Sequence, residues 1–149
     1  MSTLEGTLLK VAKQNIANQL KHSHVNAFVS KVPTSSILPR VHNVECRYPQ
    51  GRLIAIKDNI CTTDLPTTAA SVILKSYKSP YDATVVKLLR DAGAIIAGKT
   101  NMDEFGMGSH TIHSCFGKTR MSMGNGDVRS AGGSSGGSAV AVATDQCWA

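Results

Sequence analysis

"DATVVKLLRDAGAIIAGKT", Asp82 to Thr100, is the stretch that decides the fold. Val85, Leu88 and Leu89 fall on one face of a helix, Asp82 stands at its N-cap, and Gly93 stops it. "AIIAGKT", Ala94 to Thr100, follows at once as an apolar strand. Helix, glycine, strand is the grammar of an α/β fold whose sheet contains parallel pairs. Upstream, "RLIAIKD", Arg52 to Asp58, predicts a second buried strand that ends in a charged pair. Between the two, Asp64, Pro66 and nearby threonines mark a turn region, and "SVILKSY", Ser71 to Tyr77, predicts a strand or a short helix.

Leu8, Leu9, Ala12, Ile16 and Leu20 recur at helical spacing, which predicts an amphipathic helix over 3–20. Ser2 and Glu5 have the spacing of a capping box at its start. Pro33, Pro39, Pro49 and Gly51 predict loop over 32–51. From Asn101 to Arg129 the chain is polar and rich in Gly, Ser and Met; so long an irregular segment is more often functional than idle. "SAVAVA", Ser138 to Ala143, reads as a buried helix with little to cap its end. No repeat or linker interrupts the chain. It reads as one domain or part of one, with a helical start over 1–31 and an α/β part over 50–149.

The composition is globular: 42% of the 149 residues are hydrophobic and 17% charged, enough for a real core. The net charge of +6 would suit nucleic acid or an acidic surface, but the basic residues are spread from Lys10 to Arg129 without a run. With three Phe, three Tyr and one Trp, the chain lacks the stripe of a dedicated nucleic-acid module. Cys46, Cys61, Cys115 and Cys147 form no CxxC pair and read as reduced thiols in an intracellular compartment. No apolar stretch is long enough to span a bilayer, so no membrane insertion is expected. The first forty residues hold one acid, Glu5, against Lys10, Lys13, Lys21, Lys31 and Arg40. That bias suits either a mitochondrial presequence or an acid-poor first helix of the domain. His110, His113 and Cys115 hint at zinc but lack a fourth ligand, so no metal site is expected.

The chemistry concentrates in "AGGSSGGSAVAVA", Ala131 to Ala143. A Walker A loop needs a lysine to reach the phosphates; Gly132 and Gly137 have the spacing, but Ser138 stands in the lysine's place. The dinucleotide fingerprint fails too, since Arg129 stands where "GNGDVR" needs its third glycine. The nucleophile turn G-x-S-x-G matches around Ser134 and again around Ser135. Its histidine belongs downstream, yet His22, His24, His42, His110 and His113 all lie upstream. Lysine remains as a base: burial or neighbouring cations favour a neutral lysine, which can activate a serine. Lys57 ends an apolar strand, where an ammonium is partly desolvated; equally, it can snorkel to the surface or pair with Asp58.

Taken together, "AIKDNI" (55–60), "DATVVKLLRDAGAIIAGKTNMDEFGMGS" (82–109) and "AGGSSGGSAVAVA" (131–143) resemble the amidase signature family in order and spacing. "GKTNMDEFGMGSHT", "NAFV" near residue 26 and "DQCWA" resemble most the branch formed by the A-type chains of glutamyl-tRNA(Gln) amidotransferases. The resemblance implies a mixed β-sheet flanked by helices, carrying a Ser–cis-Ser–Lys triad. It implies Lys57 as general base, Ser134 as the relay serine after a cis peptide, and Ser135 as a supporting hydroxyl. Gly132, Gly133, Gly136 and Gly137 would keep Cβ atoms out of that turn, and Met107, Gly108 and Ser109 become candidates for the pocket wall. Glutamine is the implied substrate. Its ammonia would pass to a B-type, tRNA-binding kinase subunit that uses ATP and Mg to convert Glu-tRNA(Gln) to Gln-tRNA(Gln), and a small C- or F-type subunit would be a further partner. No cofactor is expected on this chain itself. The mitochondrial matrix is the expected compartment, with a bacterial cytoplasm as the alternative.

One departure matters. In the family the nucleophilic serine lies in a T/S-D-x-G-G-S segment downstream of the glycine–serine block, and backbone N–H groups there form the oxyanion hole. The 149 residues contain no such segment, and Ser135 and Ser138 occupy positions the family uses otherwise. The expectation is the N-terminal part of an amidase signature domain, inactive alone, since one lost oxyanion donor already costs about 10²–10³ in rate. An incomplete sheet also predicts an exposed edge and marginal stability. A stand-alone small-amide amidase and a non-catalytic paralogue binding the same partners are the alternatives.

Overall fold

A computed structural model describes residues 3–42, 51–122, 124 and 126–149; the expected capping box begins at Ser2 and, like Cys46, lies outside them. The first helix, α1 (Thr3–Lys21), takes its predicted place. The helical start is shorter than the sequence suggested, because Phe28–Lys31 is a strand, β1. β2 (Leu53–Lys57), α3 (Thr84–Asp91) and β3 (Ile95–Thr100) form the predicted strand–helix–strand, with β2 and β3 parallel. β1 pairs antiparallel with the other side of β3, giving the order β1–β3–β2. The central strand β3 is buried along its whole length. Gly98 is required where β1 passes, since a Cβ there would strike the Ser30 carbonyl.

β2 and β3 pair as Ile54↔Ile96 and then as Ala55↔Gly98, so Ala97 is the extra residue of a β-bulge. Beyond it the register continues as Ile56↔Lys99 and Lys57↔Thr100. Because side chains alternate along a strand, Leu53, Ala55, Lys57 and Thr100 share one face, and Ile54, Ile56, Ile96 and Lys99 the other. On the first face Leu53, Ile95 and Ala97 pack with Ala12 of α1 and with Ile37 and Val41. Ala55 on that face packs with Val140 and Ala141 of the last helix, α4 (Gly136–Ala143). On the second face Ile54, Ile56 and Ile96 cover Val86 of α3.

Several expectations need correction. Residues 34–42 are not loop but a helix, α2 (Thr34–His42), with Pro39 inside it. Pro33 accepts the first N–H groups, from Ser36 and Ile37, and Ile37 and Val41 are buried one turn apart. An interior proline costs about 3 kcal/mol, while burying each of two aliphatic side chains contributes about 1.5–3 kcal/mol, so burial wins. Asp82 does not cap α3; Ala83 holds the cap position. The Asp82 carboxylate is occupied by the Thr63 N–H at 2.7 Å and by Arg90 at 3.0 Å. The inner face of α3 is Val86 with Leu89, whereas Val85 and Leu88 are 50% and 63% exposed. Residues 71–77 form turns rather than a strand or helix, and Val72 and Ile73 are exposed, so no buried face drives either structure.

The described residues of 101–129 are irregular as expected, apart from a 3₁₀ turn at Glu104–Gly106 and a small pair of strands, β4 (Met121–Ser122) with β5 (Val128–Arg129). The end of α4 is better held than the sequence suggested. Thr144 Oγ1 donates to the Val140 carbonyl at 2.6 Å. Asn15 and Asn18 of α1 both donate to the Asp145 carbonyl, at 2.9 and 3.0 Å, and Gln19 donates to Gln146 O at 3.0 Å. The expected open edge of β2 is also covered in part, since Trp148 N–H donates to Leu53 O and Ala55 N–H to Ala149 O. No helix of the described residues is long and apolar enough to cross a membrane.

Candidate active site

Lys57 is the last residue of β2, on the sheet face that carries α4. Its Nζ lies 2.8 Å from Ser134 Oγ and 2.7 Å from Ser135 Oγ. Of the roles the sequence left open, the structure therefore gives Lys57 two hydroxyl partners, and Asp58 faces elsewhere. The peptide between Gly133 and Ser134 is cis. Gly133 permits the close approach around it, because a Cβ there would meet the Asp103 carboxylate and the His110 backbone.

The turn is built from residues the sequence analysis did not single out. Thr111 is fully buried; its Oγ1 donates to Gly132 O at 2.7 Å and accepts the Gly136 N–H at 2.8 Å. The Asn101 carbonyl accepts the Gly137 N–H at 3.1 Å, and Asn101 Nδ2 donates to Gly117 O at 2.9 Å. The Thr100 and Ser138 hydroxyls, 2.7 Å apart, tie β3 to the first turn of α4. Asp103 donates its N–H to the Ser134 carbonyl at 3.2 Å. Its carboxylate accepts N–H bonds from Thr111, Ile112 and His113 at 2.8, 3.0 and 3.1 Å. Burial alone would raise the Asp103 carboxyl; the backbone donors of His113, Thr111, Ile112 and His110 together outweigh it and hold it below the usual carboxylate range.

The pocket-wall candidates belong to the same loop layer. Gly108 abuts the Asp103 carboxylate, Ser109 borders Gly133, and Met107 is exposed. Gly106 is nearer the chemistry: a Cβ on it would lie 3.8 Å from both Ser134 Oγ and Asn59 Nδ2. Among the described residues no group of three His, Cys, Asp or Glu side chains could hold a metal ion, His110, His113 and Cys115 included.

On the opposite face of the sheet lies a second lysine. Lys99 and Asp58 are both fully buried, with Nζ 3.6 Å from Asp58 Oδ1. Lys99 also donates to Thr67 Oγ1 at 2.8 Å and to Pro66 O at 3.3 Å. Burial pushes the Asp58 carboxyl up, against the pull of the Thr68 hydroxyl and of Lys99. Burial likewise pulls the Lys99 ammonium down, against the pull of Asp58.

A lysine at the end of a parallel strand, hydrogen-bonded to a serine that follows a cis peptide in a glycine turn, places the chain in a recognisable class. It belongs to the amidase family, whose model (Amidase) matches residues 40–149. Within that family, it is 50% identical over 153 aligned residues to the A-type chain of the mitochondrial glutamyl-tRNA(Gln) amidotransferase of Tuber melanosporum (strain Mel28), covering 95% of this chain and 31% of that protein. The crystal structure of the A-type chain of glutamyl-tRNA(Gln) amidotransferase from Thermotoga maritima superposes with a TM-score of 0.71 at 36% identity, covering 94% of this chain and 29% of that one. A 6-aminohexanoate cyclic dimer hydrolase complexed with substrate gives a TM-score of 0.81 at 27% identity, covering 94% of this chain and 29% of that one. The mixed α/β architecture is thus that of amidase-family enzymes, and the chain spans about three tenths of the length of these relatives.

Proposed function

We propose that this chain is the base-and-relay part of a glutamine amidase, the A-type component that supplies ammonia to an amidotransferase. The observation that carries the reading is the 2.8 Å contact of Lys57 Nζ with Ser134 Oγ. The 50% identity to the A-type chain of a mitochondrial glutamyl-tRNA(Gln) amidotransferase supports the choice of substrate. Neutral Lys57 accepts the Ser134 proton while Ser134 takes the proton of the nucleophilic serine, which attacks the side-chain amide carbon of glutamine. The proton returns through Ser134 to the leaving nitrogen, so ammonia departs and a glutamyl ester remains. Water then follows the same path and frees glutamate. Ser135, 2.7 Å from Nζ, holds the amine on line. Nucleophile and oxyanion donors come from a T/S-D-x-G-G-S segment, which the 149 residues do not contain.

The ammonia passes to a B-type, tRNA-binding subunit that uses ATP and Mg to convert Glu-tRNA(Gln) to Gln-tRNA(Gln). A small C- or F-type subunit completes the complex, and the mitochondrial names of the relatives support the matrix as its compartment. The purified 149-residue chain is expected to release no ammonia from glutamine. The same residues continued into the nucleophile segment and assembled with the partners are expected to release it, and Lys57→Ala to cut that release by about 10²–10⁴-fold. Sustained release by the 149-residue chain alone, or release near the parental rate by the assembled Lys57→Ala enzyme, would falsify the reading. The likeness to the cyclic dimer hydrolase favours a second reading, a free-standing amidase. Copurification with a tRNA-binding subunit separates the two, since a free-standing amidase needs none.

A further inference from the structure

Asp58 and Lys99 take no part in the proton path, yet both are fully buried beside it. Asp58 follows Lys57 in the chain, and its N–H donates to the Thr100 carbonyl at 3.1 Å. Its two carboxylate oxygens have different duties. Oδ1 faces Lys99 and makes no hydrogen bond among the described residues. Oδ2 accepts the Thr68 hydroxyl, the Thr68 N–H at 3.2 Å and the Ala70 N–H at 3.3 Å. The Asp58 carbonyl takes the Ala69 N–H at 3.1 Å, and Lys99 grips the same arch at Pro66 and Thr67.

The arch needs this support. Ala69 and Ala70 are consecutive non-glycine residues at positive φ, 49° and 55°, a conformation alanine does not hold unaided. Its carbonyls carry the next layer: Ala69 O accepts the Phe105 N–H at 2.9 Å, and Ala70 O accepts the Cys115 N–H at 3.0 Å. Phe105 belongs to the turn whose Gly106 stands against Ser134 Oγ, and Asp103, just before that turn, holds the Ser134 carbonyl.

We propose that Asp58 is a positioning residue: neutralised by Lys99, its carboxylate holds the 66–70 arch and, through Ala69 and Ala70, the wall that sets Ser134 against Lys57. An apolar pair could fill the same space, but it offers no acceptor to the three donors of the arch. The proposal rests on reading Lys57 and Ser134 as a relay, and it is tested on Lys57 without any turnover.

The rate at which an amine-reactive ester acylates Lys57 in the 149-residue chain, followed by peptide mass spectrometry, reports the surroundings of Nζ. Asp58→Leu combined with Lys99→Met removes both charges together and leaves the arch unheld. It is expected to fold and to change the Lys57 rate by about threefold or more, because small displacements alter such contacts strongly, while surface lysines keep theirs. Asp58→Asn with Lys99→Met retains an amide oxygen for the Thr68 and Ala70 N–H groups and is expected to restore the parental rate. A parental rate in the folded Leu–Met variant overturns the proposal, as does an equal change in the Asn–Met variant. If the Leu–Met variant does not fold, Thr68→Val decides, since it removes one donor and no charge. A change of about twofold there supports the proposal, and an unchanged rate overturns it. Where these changes appear but the assembled parent enzyme hydrolyses no glutamine, the relay reading falls and the positioning stands.

Discussion

Lys57 and Lys99 sit on neighbouring parallel strands, one register step apart, and differ in everything but residue type. Lys57 is half-buried and held by two hydroxyls. Lys99 is fully buried against a carboxylate, on the other face. A hydroxyl can give and take a proton, so it leaves its lysine able to exchange; a carboxylate in a dry site fixes the ammonium in place. Partner chemistry, rather than residue type or strand position, assigns the role. Asp58 and Asp103, both buried carboxylates, divide in the same way. Asp58 is dominated by burial, whereas Asp103 is dominated by the sum of its backbone donors.

The contrast breaks most visibly at Lys57. Lys57→Met in the assembled enzyme is expected to cut glutamine hydrolysis by about 10²–10⁴-fold while the urea midpoint barely moves. Equal loss of stability would show that Lys57 is structural. Lys99→Met should do the reverse first, destabilising the chain by about 3–5 kcal/mol in urea unfolding, because Asp58 is left buried without its partner. A cost below about 1 kcal/mol would erase the distinction between the two lysines.

The carboxylates give a smaller effect. Asp103 and Asp82 are both held below the usual range, the first by backbone N–H groups and the second by Thr63 and Arg90, each against the opposing effect of burial. Folding therefore favours their charged forms. That stability is present above the unfolded carboxyl value, about 3.9, and is lost as pH falls through the lower folded value. The melting temperature should drop in that acid window, and Asp103→Asn should weaken amide-exchange protection at Thr111 to His113 even at neutral pH. The smallest test concerns the thiols. Burial pushes the Cys147 thiol up to about 12, and Cys115 is exposed. A thiol reagent at mild pH should modify Cys115 first and reach Cys147 only as the chain unfolds.

What the sequence made legible was whatever local pattern controls. The apolar runs of β2 and β3, Gly93 between α3 and β3, and the apolar α4 all announce themselves within a few residues. Lys57 and Ser134 were legible as a pair because the resemblance spans both. Two of the misreadings share one cause, contacts made far along the chain. Pro39 argued for loop, but the partners that bury Ile37 and Val41 come from α1 and the sheet. Asp82 looked like a cap until Thr63 and Arg90 took its carboxylate. Asp103 and Thr111 passed unnoticed because their work is done on backbone groups, which leave no trace in residue type. Lys99 did leave one: a lysine inside the run "AIIAGKT" cannot be buried without a counter-charge, and Asp58 closes the other apolar strand.

The bulge at Ala97 has a consequence for how the two lysines are kept apart. Counted by strict alternation from Ile96, Lys99 belongs on the same side as Lys57. One surplus residue inverts the parity of everything after it, sending Lys99 to the far side and bringing Thr100 level with Lys57. Flattening the bulge with Ala97 still in the chain, so that it took a regular place in the ladder, would thus be a frame error in three dimensions. The second ammonium would arrive beside the first, while Asp58 stayed behind without it.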